Sequence, residues 1–328
     1  MRAVMPRCTK RFPAAAYPYF TYMALKYSGR EVSRTKYLDS FTLASEDEEA
    51  GFVLSYPAKL EMQCYSDSAY PFKIFPQKRL HTLEFEQITM FYGGNGSGKS
   101  TLLNLIAEKL SLERRAPYNY TPLFEDYLTF CSYVPTAARR MPKGSAVITS
   151  DDVFDFLLDL RAINAGVDRR RDELFAEYDR TQEMHSVPLR SLADYDALKR
   201  FNEGKRSTKS VYVTRRLPKN LNGASNGESA FAYFSDRIGE NALYLLDEPE
   251  NSLSAKLQEE LAKFIEDSAR FYGCQFIIST HSPFLLALKG ARIYDLDAVP
   301  ARVRRWTELE NVRVYRDFFE KHRDAFKA

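Results

Sequence analysis

Short apolar runs punctuate the chain: ITMFY at 88–92, LYLL at 243–246 and FIIS at 276–279. Runs of this length without polar interruption predict strands buried on both faces. Between the last two, LSAKLQEELAKFIEDSARFYG puts Leu253, Leu257, Leu261, Phe264 and Ile265 on one helical stripe and stops at Gly273, a residue suited to a helix C-terminus. ARIYDLD at 291–297 reads as a further strand, and AVITSDDVFDFLLDLRAI at 146–163 as a strand, an Asp-rich cap and an amphipathic helix. YLDSFTL (37–43), FVLSYP (52–57) and LEFEQITMFY (83–92) predict a β-rich opening of short strands broken by proline and acidic turns. Residues 166–219 are almost wholly polar, with helical stretches around DRRRDELFAEYDRTQEM and SLADYDALKRFNEGKR, and predict a helical insertion spanning about 150–219. Strands alternating with helices give an α/β fold whose sheet is mostly parallel with helices on both faces.

With 328 residues, 45% of them hydrophobic, the chain is long enough for a large core. No apolar run reaches the ~20 residues that cross a bilayer, so a membrane channel is not expected. Cys8, Cys64, Cys131 and Cys274 stand far apart with no C-x-x-C pair, which speaks against a zinc site or a disulfide framework and for a reducing, cytoplasmic setting. Residues 1–36 hold eight Lys or Arg against Glu31 alone, a local +7 within a chain of net +3. Pro13, Pro18 and several tyrosines break up any signal-peptide helix there, so this segment is expected to be a disordered basic extension ahead of a domain at 37–328.

One glycine-rich stretch changes the picture. GGNGSGKST, comprising Gly93, Gly94, Asn95, Gly96, Ser97, Gly98, Lys99, Ser100 and Thr101, follows a predicted strand and precedes the helical TLLNLIAEKL. Its spacing fits a phosphate-binding loop: backbone N–H groups wrap the β- and γ-phosphates, the lysine supplies a point charge, and the following helix presents its positive end. Ser100 is then placed to ligate Mg²⁺. An ATP-type nucleotide with its magnesium is the implied cofactor.

Downstream segments narrow the chemistry. LYLLDEPE delivers Asp247 to a strand end, where it can hold the magnesium shell through water, and sets Glu248 beside it as candidate general base. His281 in FIISTHSPF stands 33 residues after Glu248, about one strand–helix–strand unit, so both can sit at the same sheet edge and reach the γ-phosphate or the attacking water. In ASNGESAF, Ser225, Asn226, Gly227 and Glu228 make a second anion nest at a helix start. The first loop already surrounds its own phosphates, so this nest predicts a second molecule: two protomers closed head to tail on ATP, each giving Ser225 and Gly227 to the other's γ-phosphate.

In order, GGNGSGKST, ASNGESA, LYLLDEPENSLS and FIISTHS resemble the Walker A, signature, Walker B with D-loop, and switch-histidine motifs of ABC-type ATPase heads, and DEPE with THSPF is more similar to the soluble RecF, SMC and OLD-like branch than to transporter subunits. The resemblance spans about residues 37–325. It implies a P-loop NTPase fold, a head with a mostly parallel sheet, a β-rich N-terminal subdomain and a helical insertion, in which ATP joins the dimer and hydrolysis releases it. There are departures: Ala224 stands for the signature leucine, Asn226 for its first glycine, and Ser254 for the D-loop aspartate. No glutamine lies between residues 99 and 181, and ITSDD occupies the corresponding place, so Ser150 or Asp151 takes over magnesium and water coupling. The adenine-stacking aromatic is one of Tyr70, Phe72 and Phe75.

Three outputs of such a head follow. Residues 199–219 carry Lys199, Arg200, Lys205, Arg206, Lys209, Arg215, Arg216 and Lys219 against Glu203 alone, a +7 cluster that suits nucleic-acid phosphates and hence DNA repair or defence. The second is an ATP-driven switch controlling a separate effector such as a nuclease. A transporter ATPase subunit is the third, and it needs the glutamine loop that departs most from the pattern.

Overall fold

The computed structural model describes residues 35–55, 69–136, 141–186, 195–216 and 225–326. The basic N-terminal segment up to residue 34, Cys8, Cys64, Lys219 and Ala224 lie outside the described residues.

Along the chain the elements are β1 (Leu38–Thr42), α1 (Glu46–Ser55), β2 (Thr82–Glu84), β3 (Ile88–Tyr92), α2 (Lys99–Lys109), α3 (Leu123–Phe130), β4 (Ser132–Pro135), β5 (Ala146–Thr149), α4 (Ser150–Glu183), α5 (Tyr195–Arg206), α6 (Lys209–Thr214), α7 (Asn226–Arg237), β6 (Leu243–Asp247), α8 (Ala255–Phe271), β7 (Gln275–Ser279), α9 (Pro283–Leu286), β8 (Arg292–Asp295), β9 (Arg302–Arg304) and α10 (Glu310–Lys321). The larger sheet runs β5-β6-β7-β3-β8-β9 and is parallel except at β9, as the alternating pattern predicts. A smaller antiparallel sheet runs β2-β1-β4.

Alternation along the central strands divides the core in two. Met90, Tyr92, Tyr244, Leu246, Phe276 and Ile278 face one side, with Phe231 and Phe234 of α7 and Leu261 and Ile265 of α8. Phe91, Leu243, Leu245 and Ile277 face the other, with Leu102, Leu103 and Ile106 of α2 and the small sheet's Leu38 and Phe41. Both faces being apolar is what made these strands readable as unbroken runs.

Gln275 fastens the two sheets together. Its Oε1 accepts from the backbone N–H of Tyr37 (2.7 Å) and Leu38 (2.9 Å), while its Nε2 donates to the carbonyls of Leu38 (2.8 Å) and Glu86 (3.1 Å). The side chain is fully buried. Gln275→Leu removes every one of these bonds and strands backbone groups away from water, so chemical denaturation is expected to show a loss of about 3 kcal/mol. A loss under about 1 kcal/mol would mean that β1 is held by its sheet partners alone.

One expectation is corrected. FVLSYP was expected to form a strand, but Phe52–Ser55 close helix α1. Ser45 and Glu48 bond reciprocally at its start, with both the backbone N–H and the Oγ of Ser45 donating to Glu48 Oε2 at 2.8 Å, and four acidic residues fill the first turn against the helix dipole. This local capping outweighs the β preference of Phe52 and Val53. Phe52 then stacks on Phe72 at 4.6 Å between ring centres.

Candidate nucleotide site

The phosphate loop leaves the end of β3 and enters α2 directly at Lys99, with strands β7 and β8 on either side of β3. Gly98 precedes the helix at φ +92°, and a Cβ there would meet Ile74 Cγ2 at 3.0 Å and Phe75 Cε1 at 3.3 Å. Both the backbone conformation and the packed wall beneath the loop require glycine. At the loop's first turn the Gly94 N–H donates to Asp297 Oδ2 (2.7 Å), a brace from the end of β8 that no sequence motif announces.

Lys99 is buried and its Nζ folds back over the loop, donating to the carbonyls of Gly93 (2.8 Å) and Gly94 (3.2 Å). The same Nζ lies 2.8 Å from His281 Nε2 and 3.6 Å from Glu248 Oε1, and His281 Nε2 is 3.3 Å from that carboxylate oxygen. Three side chains from the ends of β3, β6 and β7 therefore meet at one point. The register explains it: Asp247 and Ser279 are parallel neighbours, and β3 pairs with β7 on the far side.

Asp247 Oδ1 accepts from Ser100 Oγ at 3.2 Å and also from Ser279 Oγ. A hydroxyl and a carboxylate set this close, both beside the loop, fit Mg²⁺, which takes one or two protein oxygens and fills the rest of its octahedron with phosphate and water. Burial pushes the Asp247 carboxyl upward, opposed by the hydroxyls of Ser279 and Ser100. Among the described residues no three His, Cys, Asp or Glu side chains converge into a metal cage.

Glu248 has a left-handed backbone, φ +47°, which costs a non-glycine residue about 1–3 kcal/mol. Its N–H donates to the Ser279 carbonyl (3.0 Å), which holds the turn. His281's hydrogen bond, the Asn251 amide at 3.0 Å and the Lys99 charge outweigh burial and hold the carboxyl at about 2. In this arrangement Glu248 is an ion-paired carboxylate.

Ser225 caps α7 through a reciprocal pair with Glu228: Ser225 Oγ accepts from the Glu228 N–H (3.3 Å) and donates to Glu228 Oε2 (3.0 Å). Ser225, Asn226 and Glu228 are exposed. A Cβ on Gly227 would stand 2.6 Å from Leu257 Cδ1 on α8, so this turn sits close against the D-loop side of that helix. The side-chain hydrogen bonds of Ser225 and Glu228 run between these two residues, and among the described residues none joins them to Lys99, Asp247, Glu248 or His281.

Other expected positions divide. Phe72 and Phe75 are in the core at 4% and 0% exposure, so neither offers a face to adenine, and both drop out as stacking candidates. Tyr70 is half-buried, with its hydroxyl donating to Thr101 Oγ1 at 3.2 Å. Asp151 is exposed in the first turn of α4. The buried acid there is Asp152, whose oxygens accept from the Thr149 N–H (2.8 Å), the Thr149 hydroxyl (3.0 Å) and the Ala116 N–H (3.0 Å). Since Thr149 pairs in register with Asp247, Ser150 and Asp151 follow directly beside the acid pair.

The basic insertion is less free than its composition implies. Lys209 pairs with Asp179 at 2.7 Å, Arg216 pairs with Glu203 and lies 3.8 Å over the Tyr212 ring, and Lys205 donates to the Gln182 carbonyl at 2.8 Å. Part of the charge is thus spent folding α5 and α6 onto α4. Lys199, Arg206 and Arg215 remain exposed around one shallow groove.

Sequence reasoning missed two further groups. Arg114 donates to Asn104 Oδ1 of α2 (2.5 Å) and lies 4.2 Å over the Tyr118 ring, with its Nε and Nη1 buried and unpartnered among the described residues. Asn311, at the start of α10, donates its N–H to Tyr92 Oη (3.0 Å) and its amide to the His281 carbonyl (3.3 Å). Neither has a local signature, because each acquires its neighbours only through the fold.

Residues 144–287, from just before β5 to the end of α9, match the family described as "AAA domain, putative AbiEii toxin, Type IV TA system". No curated protein matches the chain. Solved structures similar to it include a Smc head domain from Pyrococcus furiosus bound to the C-terminal domain of ScpA (16% identity, 74% of this chain and 95% of that one, TM-score 0.33). Others are an SMC head domain from Thermotoga maritima (14%, 68% and 92%, 0.34) and a metal-chelate type ABC transporter in an inward-facing conformation (14%, 84% and 88%, 0.36). The family match covers less than half of the chain.

Proposed function

We propose, from the premise that this chain is an ABC/AAA-type P-loop ATPase, that it binds Mg²⁺ and ATP on Gly93–Thr101, closes head to tail with a second copy, and hydrolyses ATP in the composite sites. The observation that carries this is the meeting of Lys99, Glu248 and His281 at one point beside the Ser100–Asp247 pair, with the Ser225–Glu228 nest facing solvent elsewhere.

Lys99 and the start of α2 would take the phosphate charge, and Ser100 and Asp247 would hold the magnesium, which when bound would supply electrostatic stabilisation of the developing charge. Ser150 or Asp151, one strand away, serves where related heads carry glutamine. Glu248 at about 2 is a weak base while the His281 hydrogen bond, the Asn251 amide and the Lys99 charge hold it. A γ-phosphate that draws Lys99 onto itself leaves the carboxylate free to accept a proton from the attacking water, and His281 then lies against the phosphate. The partner's Ser225 and Gly227 close the far side. Phosphate release from Mg²⁺ and ATP, abolished by chelation, tests this; a chain that neither binds nor cleaves ATP is something else.

The output proposed for the cycle is a DNA transaction, with Lys199, Arg206 and Arg215 contacting phosphates. Changing all three to alanine is expected to weaken duplex binding and to flatten its salt dependence by up to about three charges. Unchanged salt dependence favours the alternative of an effector protein switched by ATP. For that alternative stands α10, whose Val314, Tyr315, Phe318 and Phe319 are exposed and whose Asn311 bonds to the carbonyl of His281. Among the described residues no helix is long and apolar enough to cross a membrane.

A further inference from the structure

Glu250 is a carboxylate that the motif reading left unused, although it lies within DEPE. It is 8% exposed, and its Oε1 accepts three hydrogen bonds from one short segment: Thr280 Oγ1 (2.7 Å), His281 N–H (2.6 Å) and Ser282 N–H (3.0 Å). Its Oε2 is buried without a partner among the described residues. The donors are the turn that leaves β7 and starts α9, so one atom gathers the loop that carries the histidine. On its own side Glu250 belongs to the turn after β6, where the Asn251 N–H donates to the Glu248 carbonyl (3.2 Å) and the Leu253 N–H to the Glu250 carbonyl (2.9 Å).

We infer that Glu250 is a positioning residue that sets the distance between His281 and Glu248 by tying the histidine loop to the turn that bears the base, an inference that rests on reading this site as one that hydrolyses ATP. Along the chain 33 residues separate the base from the histidine, and the Glu248 N–H on the Ser279 carbonyl (3.0 Å) joins the two turns two residues short of the histidine, so the histidine's own backbone is held through Glu250. The same tie is continued at α8, where Ser282 Oγ donates to Gln258 Oε1 (2.8 Å) and the Gln258 amide donates to the Leu253 carbonyl (3.0 Å). A shift of the D-loop, whose Ser252 and Leu253 lie between these anchors, is therefore passed to the imidazole through Glu250. Misplacing a reacting group by about 1 Å costs on the order of 100-fold in rate.

The test compares wild type, Glu250→Ala and Glu250→Gln by steady-state phosphate release and by the NMR titration of the His281 imidazole, assigned with His281→Gln. Removing the acceptor with alanine is expected to lower kcat about 100-fold with KM for Mg²⁺ and ATP changed by less than about threefold, and to move the imidazole signals. Glutamine keeps an acceptor oxygen in place and is expected to stay within about fivefold of wild type, with the imidazole unmoved. Should the alanine variant not fold, Glu250→Asp, whose shorter side chain cannot reach all three donors, is expected to show the same kcat loss. The inference is overturned by a folded alanine variant with wild-type kcat and unmoved His281 signals. It is equally overturned if alanine and glutamine lose kcat and ATP affinity alike, which is how a scaffold defect behaves. If the wild type releases no phosphate, the hydrolytic reading fails, while the imidazole titration still decides whether Glu250 sets His281.

Discussion

Glu248→Gln is expected to bind ATP, to elute as a dimer with Mg²⁺ and ATP, and to turn over about 10³-fold more slowly than wild type, within the range that a lost general base costs. Glutamine is nearly isosteric, keeps an oxygen for the Asn251 amide and removes only the charge and the basicity. Loss of the charge also lowers repulsion against the γ-phosphate, so ATP affinity is expected to hold or rise. The readouts are size-exclusion chromatography and phosphate release on the same sample, with and without duplex DNA. A variant that stays monomeric at saturating ATP and turns over normally would sink both the base assignment and the dimer.

The second large effect is complementation. Ser225→Ala alone and Glu248→Gln alone are each expected to be nearly inactive, since in a head-to-tail dimer every site needs Glu248 from one subunit and Ser225 from the other. Mixed in equal amounts, half the dimers pair one of each. Each such pair has one site with both changes and one with neither, so about a quarter of wild-type activity returns. Ser225 is exposed and bonds to Glu228 within its own cap, so the substitution is not expected to unfold the head. Activity that does not recover on mixing, although both variants dimerise, means that Ser225 serves no site across the seam.

The central sheet was legible because its strands are buried on both faces and therefore written as apolar runs. The site was legible where chemistry is compressed into contiguous residues, as in GGNGSGKST and DEPE. What could not be read has a common cause. Phe72 and Phe75 are aromatic near the loop, but whether an aromatic faces solvent depends on partners such as Phe52 and Tyr127 brought in from distant segments. Summed charge over 199–219 ignored Asp179, which reaches Lys209 from another helix. Residues 111–135, with α3 and β4, carried no expectation, since that strand's pairing partners lie in β1, about 90 residues earlier, and their register has no local signal. Glu250, Asp297 and Asn311 act on backbone groups far away in sequence.

Helix α4 runs unbroken for 34 residues from Ser150, beside the strand end that bears Asp247, to the small cluster of Leu174, Tyr212 and Val213 that seats α6. At 1.5 Å per residue that is a lever of about 50 Å. Rocking its root through 10° would sweep the far tip by about 9 Å. Stirrings at the Asp247 end, too small to notice there, would arrive at the far tip of the helix as a stroke.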